Sequence, residues 1–196
     1  TEEEKDTLKN AILNALLRIP LEDRLIRNVF AECFRLIATQ EFPSKWKGLD
    51  TTLSDALKQG VANSNNVSTI SNVVLATYQV CKQYEYFRKM SHSRSDVPPE
   101  LDSIATLILP TLINDVFVTK CNQRNNKDND LLRMIAKLYF RITRSYMPKI
   151  CETLAPVILS QSMNILNEII QGQEGDSSIE EDMIDEDELG RQWRLH

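Results

Sequence analysis

The sequence predicts an all-α protein, an α-α superhelix built from stacked helix pairs. Three observations predict it. Apolar residues recur at helical spacing along nearly the whole chain. Glycine is scarce, 5 in 196 residues, whereas sandwiches and barrels depend on glycine-rich turns. Finally, helical stretches of similar pattern recur after 44 and then 62 residues, and such self-similarity marks repeat architectures.

Thr1 and Glu4 form a capping box, in which each side chain can satisfy the other's free backbone N–H. Leu8, Ile12, Ala15, Leu16 and Ile19 then make one apolar stripe, and Pro20 ends the helix. A second helix, about 21–40, is expected to turn Leu25, Val29, Phe30, Cys33, Leu36 and Ile37 inward, and Pro43 closes it. A short helix around 49–61 uses Leu49, Leu53, Leu57 and Val61. The next, about 67–90, is apolar on Ile70, Val73, Val74, Tyr78 and Cys81. Pro98 and Pro99 open a fifth, suited to a first turn where no N–H is needed. It runs to about 120 with a kink expected at Pro110. Asn122–Asn129 is a polar loop, and helices at about 130–146 and 149–171 follow.

Three of these seven helices align without gaps, through Arg27–Phe30, Ser71–Val74 and Arg133–Ala136. The same shifts bring Phe34 onto Tyr78 and Phe140, Leu36 onto Val80 and Ile142, and Arg35 onto Gln79 and Arg141. A two-helix unit of 44 residues falls in the range of HEAT and armadillo repeats, about 40–47 residues. One helix pair cannot bury its own apolar face, so pairs stack and share a core. About three and a half pairs are expected over 1–172, the first helix of each on the convex side and the second on the concave side. The absence of an initiator Met and of evident capping ends suggests a piece of a longer array.

Composition sets further bounds. The chain has 23 Lys+Arg and 28 Asp+Glu, 42% apolar and 26% charged residues, which is globular rather than disordered. No apolar run approaches the ~20 residues of a membrane span, and the opening Thr-Glu-Glu-Glu-Lys has the wrong charge for a signal peptide. Residues 174–188 hold nine acids and no base, so residues 1–173 carry 19 acids and 21 bases. A near-neutral body thus precedes an acidic flexible segment at 173–189, with the start of a following helix at 190–196. Cys33, Cys81, Cys121 and Cys151 form no C-x-x-C pair and only His92 and His196 accompany them. They read as reduced thiols, three of them core-facing, and not as a zinc site, with a disulfide framework as the alternative reading.

Glu41-Phe42-Pro43-Ser44-Lys45-Trp46 follows the second helix. It resembles the Asp-Phe/Tyr-Pro-x-x-Trp element of importin-β-superfamily nuclear transport receptors (karyopherins). Its logic is local: Pro43 stops the helix, Phe42 staples the exit and Trp46 buries itself in the next pair. Gln83-Tyr84-Glu85-Tyr86 is similar to the Asn-Tyr-Glu-Tyr stretch of the importin-seven/eight class. So are the helix ending Ser145-Tyr146-Met147-Pro148, the acidic run Glu180-Glu181-Asp182, and Arg191-Gln192-Trp193-Arg194-Leu195-His196 beside the family's Lys-Lys-Trp-Ala-Leu-His. Glu41 stands where the family usually has Asp, Arg194 replaces a small residue, and the acidic run is longer. The resemblance covers essentially the whole chain. It implies a HEAT-repeat nuclear import receptor that binds protein cargo, contacts FG-repeat nucleoporins, answers to Ran-GTP and shuttles between cytoplasm and nucleus. It also implies that the first Ran-contacting repeats are missing here, so Ran binding would be partial.

No catalytic constellation, P-loop or cofactor motif is evident, so a binding protein is expected, without enzyme activity or cofactor. Asp128 and Asp130 read as a helix cap before a metal site. Arg133, Lys137, Arg141 and Arg144 share one helix face, and Arg27 and Arg35, with Arg24, lie on the polar side of an earlier repeat. This concave-face stripe is either a solvated face or an acid-seeking groove. A nucleic-acid platform would want a larger positive surplus and exposed aromatics, so direct nucleic-acid binding is not expected, nor is a membrane partner. Glu180, Glu181, Asp182, Asp185, Glu186, Asp187 and Glu188 are either a plain linker or a dock for basic cargo. The opposite charges also suggest that 176–188 folds back on the basic stripe until cargo competes. The competing readings are an export receptor of the same superfamily, a HEAT scaffold of a phosphatase or chromosome complex, and a helical enzyme.

Overall fold

A computed structural model describes residues 1–63, 66–84, 96–123 and 128–172. Seven α-helices span them: α1 (Glu2–Arg18), α2 (Arg24–Glu41), α3 (Leu49–Ala62), α4 (Val67–Cys81), α5 (Pro99–Gln123), α6 (Asn129–Ser145) and α7 (Lys149–Gly172). No strand occurs among the described residues. They fall into one compact unit, Thr1–Ser162, and a second that begins at Met163. In the second, the described residues are the last turns of α7, with Met163 and Leu166 exposed. The expected segments 173–189 and 190–196 lie outside the described residues, as do His92, Glu85, Tyr86 and residues 85–90 of the expected fourth helix, whose α-helical part ends at Cys81 and passes into a 3₁₀ turn at 82–84.

The first unit is a stack of helix pairs. α1 packs on α2 and α3 on α4. α2, α4 and α6 are neighbours in succession, while α1 also rests on α4 and α3 on α5. The three helices that align in sequence therefore form one layer, which is the packing of an all-α helical solenoid. The core lies between the layers, on Leu13, Leu16, Leu53, Leu57, Ile70 and Ile108, each essentially free of solvent contact.

Local chemistry explains the ends of the elements. Thr1 Oγ1 accepts from Glu4 N at 3.3 Å while Glu4 Oε2 accepts from the Thr1 nitrogen at 2.6 Å, the predicted capping box. α2 stops at Glu41 because the residue before Pro43 is driven to extended backbone, and Phe42 sits at φ −89°, ψ 136°. Gly48 has φ +78°, a left-handed conformation that a Cβ disfavours, and it starts α3. Gly60 is buried, and a Cβ there would stand 3.1 Å from Ile70. Its lack of a side chain lets α3 and α4 approach closely. Asn66 caps α4 by accepting from Thr69 N at 3.2 Å.

α5 is continuous through Pro110, but Thr111–Phe117 is π-helical. Proline lacks the N–H and crowds the preceding turn, so the ladder widens into a π segment where a kink was expected. Ser54 Oγ on α3 donates to the Leu107 carbonyl at 3.1 Å, in the turn just before Pro110. By length and composition this helix could cross a membrane, yet half of its most apolar window is buried within the protein, as in a core helix. A buried Asn72 on α4 ties the layers together. Its Nδ2 donates to the Ile19 carbonyl at 2.8 Å, and Ser68 Oγ donates to the same oxygen at 3.3 Å. The orphan carbonyls at the end of α1 are thus satisfied from the next pair.

α2 corrects the sequence reading. Its buried residues are Ala31, Phe34 and Ala38. Leu25 is 79% exposed, and Val29, Cys33 and Leu36 are exposed too, with Phe30 and Ile37 half-buried. The helix carries two stripes, and the small-residue stripe faces its neighbours because alanines let helices close around one aromatic ring. Leu8 of α1 is likewise exposed, not core. The aligned aromatics differ in the same way: Phe34 is fully buried, Tyr78 half-buried and Phe140 63% exposed.

Candidate protein-binding face

The Glu41–Trp46 element is a clamp on the first pair. Phe42 and Trp46 are buried and Pro43 is exposed. The Trp46 ring meets Phe34 edge-on, with centroids 5.6 Å apart at 71°. Its ring also lies 5.9 Å from Lys9 Nζ. The sequence reading expected Trp46 to enter the next pair; these contacts lie on α1 and α2. Lys9, which sequence reasoning missed, is buried and reaches Asp6 at 2.6 Å, Glu41 at 3.5 Å and the Lys45 carbonyl at 3.0 Å. Its spacing from Asp6 (i, i+3) was the available signal. Glu41 thus has a structural task that bridges α1 and the end of α2.

The α2–α4–α6 layer gathers most of the predicted basic residues. Arg24 of α2 meets Asp130 of α6 at 3.5 Å, and Arg133 meets the same carboxylate at 3.9 Å. Arg27 lies beside them, half-buried, with an enclosed Nε that has no hydrogen-bond partner. Burial pulls its pKa down, the Arg24 charge adds to this, and Asp130 partly offsets it. Farther along, the Arg141 guanidinium sits 4.1 Å from the Tyr78 ring centroid and donates to the Tyr78 hydroxyl. Lys82 Nζ is 5.5 Å from the same ring, so the face of Tyr78 serves as a cation-π platform between helices. Arg35 donates two hydrogen bonds to Glu32, at 2.9 and 2.5 Å. That fork holds the Glu32 carboxyl below its ordinary range against the opposing effect of burial, with Lys82 assisting.

The structure therefore brings Arg27 and Arg133 together around Asp130, with Lys137 exposed one turn beyond Arg133. Arg141 and Lys82 share the Tyr78 ring, and Arg35 is tied to Glu32, which Lys82 also influences. Arg144 is exposed and lines a different feature, an apolar cleft of about 300 Å³ between α6 and α7 with Phe140, Met147 and Leu159. Asp128 makes no side-chain cap; its carboxylate pairs with buried Lys120 at 3.3 Å. Among the described residues no group of His, Cys, Asp and Glu is arranged to hold a metal. Residues Glu180, Glu181, Asp182 and Asp185–Glu188 lie outside the described residues.

All four cysteines are free, and Cys33 is exposed where a core position was expected. Burial pushes the Cys151 thiol up to about 12, with Asp102 and Glu152 adding to it, and burial raises Cys121 as well. At pH 8 such a thiol holds roughly 10³-fold less thiolate than an ordinary one of pKa ~8.5. Iodoacetamide is therefore expected to alkylate Cys33 in the folded protein and Cys151 only after denaturation, read by peptide mass spectrometry. Equal labelling of both before unfolding would contradict the burial.

Neither a family model nor a solved structure matches the chain. An exportin is among the relatives found, and the importin-seven/eight subclass expected from the sequence is not supported. The chain is similar to Exportin-2 of Xenopus laevis, 22% identical over 182 residues that cover 87% of this chain and 17% of the relative, so it spans about a sixth of that protein's length.

Proposed function

We propose that this chain is a helical-repeat segment of a karyopherin-like nuclear transport receptor, acting by binding protein partners and not by catalysis. The observation that carries the reading is the similarity to an exportin along 87% of the chain, joined to a stack of helix pairs with a basic layer. Partners on this reading include Ran-GTP, FG-repeat nucleoporins and protein cargo, with shuttling between cytoplasm and nucleus. The transport direction is open to two readings. The sequence motifs favour import; the exportin relative favours export.

The two differ in sign. Ran-GTP weakens cargo binding by an importer and strengthens it for an exporter, a coupling that linkage makes reciprocal. Immobilised full chain is expected to retain Ran loaded with a non-hydrolysable GTP analogue over Ran-GDP, and to retain FG-repeat peptides. Retention of neither would remove the transport reading and favour a non-transport helical scaffold. A cargo captured from cytosol with Ran-GTP, but not without it, would select export.

A further inference from the structure

Positive charge is segregated onto one layer of this protein. Helices α2, α4 and α6 carry seven bases, Arg24, Arg27, Arg35, Arg133, Lys137, Arg141 and Arg144, against three acids, Glu32, Glu41 and Asp130. Glu41 is engaged by Lys9 of α1, and Glu32 by Arg35. The rest of residues 1–173 then holds 14 bases and 16 acids. So a body that is near neutral in sum is basic here and slightly acidic elsewhere.

The bases stand in two rows on either side of α4, and among the described residues Arg24, Arg27, Arg133 and Lys137 are short of counter-charge. One carboxylate, Asp130, serves both Arg24 and Arg133, at 3.5 and 3.9 Å. Both distances exceed the ~2.7–2.9 Å of a charge-assisted hydrogen bond. Arg27 is half-buried, with its Nε enclosed and without a hydrogen-bond partner among the described residues. Lys137, on the next turn from Arg133, is exposed. Arg24 and Arg27 (i, i+3) and Arg133 and Lys137 (i, i+4) present cations about one helical turn apart. That spacing suits carboxylates on successive turns of an acidic helix or on alternate residues of an extended strand.

We propose that the α2–α4–α6 layer docks an acidic peptide segment of a partner protein, whose carboxylates are received by Arg24, Arg27, Arg133 and Lys137. The proposal rests on the reading of this chain as a partner-binding segment and names the chemistry of the partner. Peptide is favoured over nucleic acid because Tyr78 already carries Arg141 and is approached by Lys82. A base-stacking platform needs open aromatic rings among the cations, and the exposed ring of α6, Phe140, lines the cleft toward α7 with Arg144, Met147 and Leu159.

The test uses the full chain and a fluorescein-labelled, Glu-rich 20-residue peptide, followed by anisotropy at about 50 mM salt. Binding is expected, weakening at least ~10-fold between 50 and 300 mM salt and at least ~10-fold in Arg133→Glu/Lys137→Glu, a change at exposed positions. Arg27→Gln is expected to weaken it as well. Lys58→Glu/Lys149→Glu, exposed and on helices outside the layer, should bind as wild type does. A second full-length variant with Gln or Asn in place of Glu180, Glu181, Asp182 and 185–188 keeps the result decisive should the chain's own acids compete. Absence of binding by both proteins overturns the proposal. So does an affinity indifferent to the 133/137 reversal, or tighter binding of a 20-nucleotide oligothymidine. Retention of Ran-GTP together with loss of peptide binding would sink this inference alone and leave the transport reading standing.

Discussion

Trp46→Ala is expected to lower the unfolding free energy by about 3–5 kcal/mol, the usual cost of truncating a buried large aromatic. Trp46 is 7% exposed and shares an edge-to-face contact with fully buried Phe34. That geometry adds about 0.5–1.5 kcal/mol beyond area burial. Removing the indole empties the space between the loop, α1 and α2, and removes the ring beside Lys9. Urea unfolding followed by circular dichroism measures the loss. Domains of this kind have about 5–15 kcal/mol in all, so the alanine variant can be partly unfolded without denaturant. Trp46→Phe, which keeps the ring-on-ring contact, should then retain a cooperative transition with a loss of about 1–2 kcal/mol. A loss under about 1 kcal/mol for the alanine variant would show that the loop does not clamp the pair.

The second large effect is expected at Lys9. Lys9→Met keeps the apolar stem and deletes the ammonium. It leaves the mostly buried Glu41 carboxylate and the Lys45 carbonyl without their donor. Breaking a buried pair from one side costs about 3–5 kcal/mol. Here Asp6, the nearer partner, is 60% exposed and water takes up part of its charge, so a loss of about 2–3 kcal/mol is expected. The pH dependence has a definite sign. The hydrogen bond to Asp6 raises the Lys9 pKa above its ordinary value, burial opposes this, and Glu41 adds to the rise. A lysine held higher in the folded state contributes its full stabilisation below the unfolded pKa of about 10.4. It loses that contribution as pH climbs through the higher folded value. The gap between wild type and Lys9→Met should therefore be flat from pH 7 to about 9.5 and narrow above about 10.5. A gap that widens at high pH would reverse the assignment of Lys9 as the stabilised cation.

The fold was legible because helix periodicity, prolines and caps are local. Thr1 with Glu4, Pro43, and Pro98 with Pro99 mark ends that the backbone obeys wherever the neighbours lie. The basic rows were legible for the same reason, since Arg133 and Lys137 stand one turn apart in any helix. The face that each helix buries was not. Leu25, Val29 and Leu36 look more core-like than Ala31 and Ala38 on any hydrophobic scale, yet the alanines meet the neighbours. Close approach favours small residues, and only the neighbours define where approach is needed.

Sequence alone determined the helical class, the seven elements, the register of the repeat and the segregation of acid from base along the chain, because each follows from spacing within a few turns. Tertiary structure decided that Lys9 holds Glu41 and Lys45, that Tyr78 receives Arg141, and that one carboxylate, Asp130, is shared by arginines on α2 and α6. Apart from Arg133 beside Asp130 (i, i+3), the paired groups lie 32 to 106 residues apart in the chain, and no local pattern encodes a pairing at such distances. Stacking places them within reach, and burial then decides how much each pairing counts, most for Lys9 with Glu41 and least for the exposed Arg24 with Asp130.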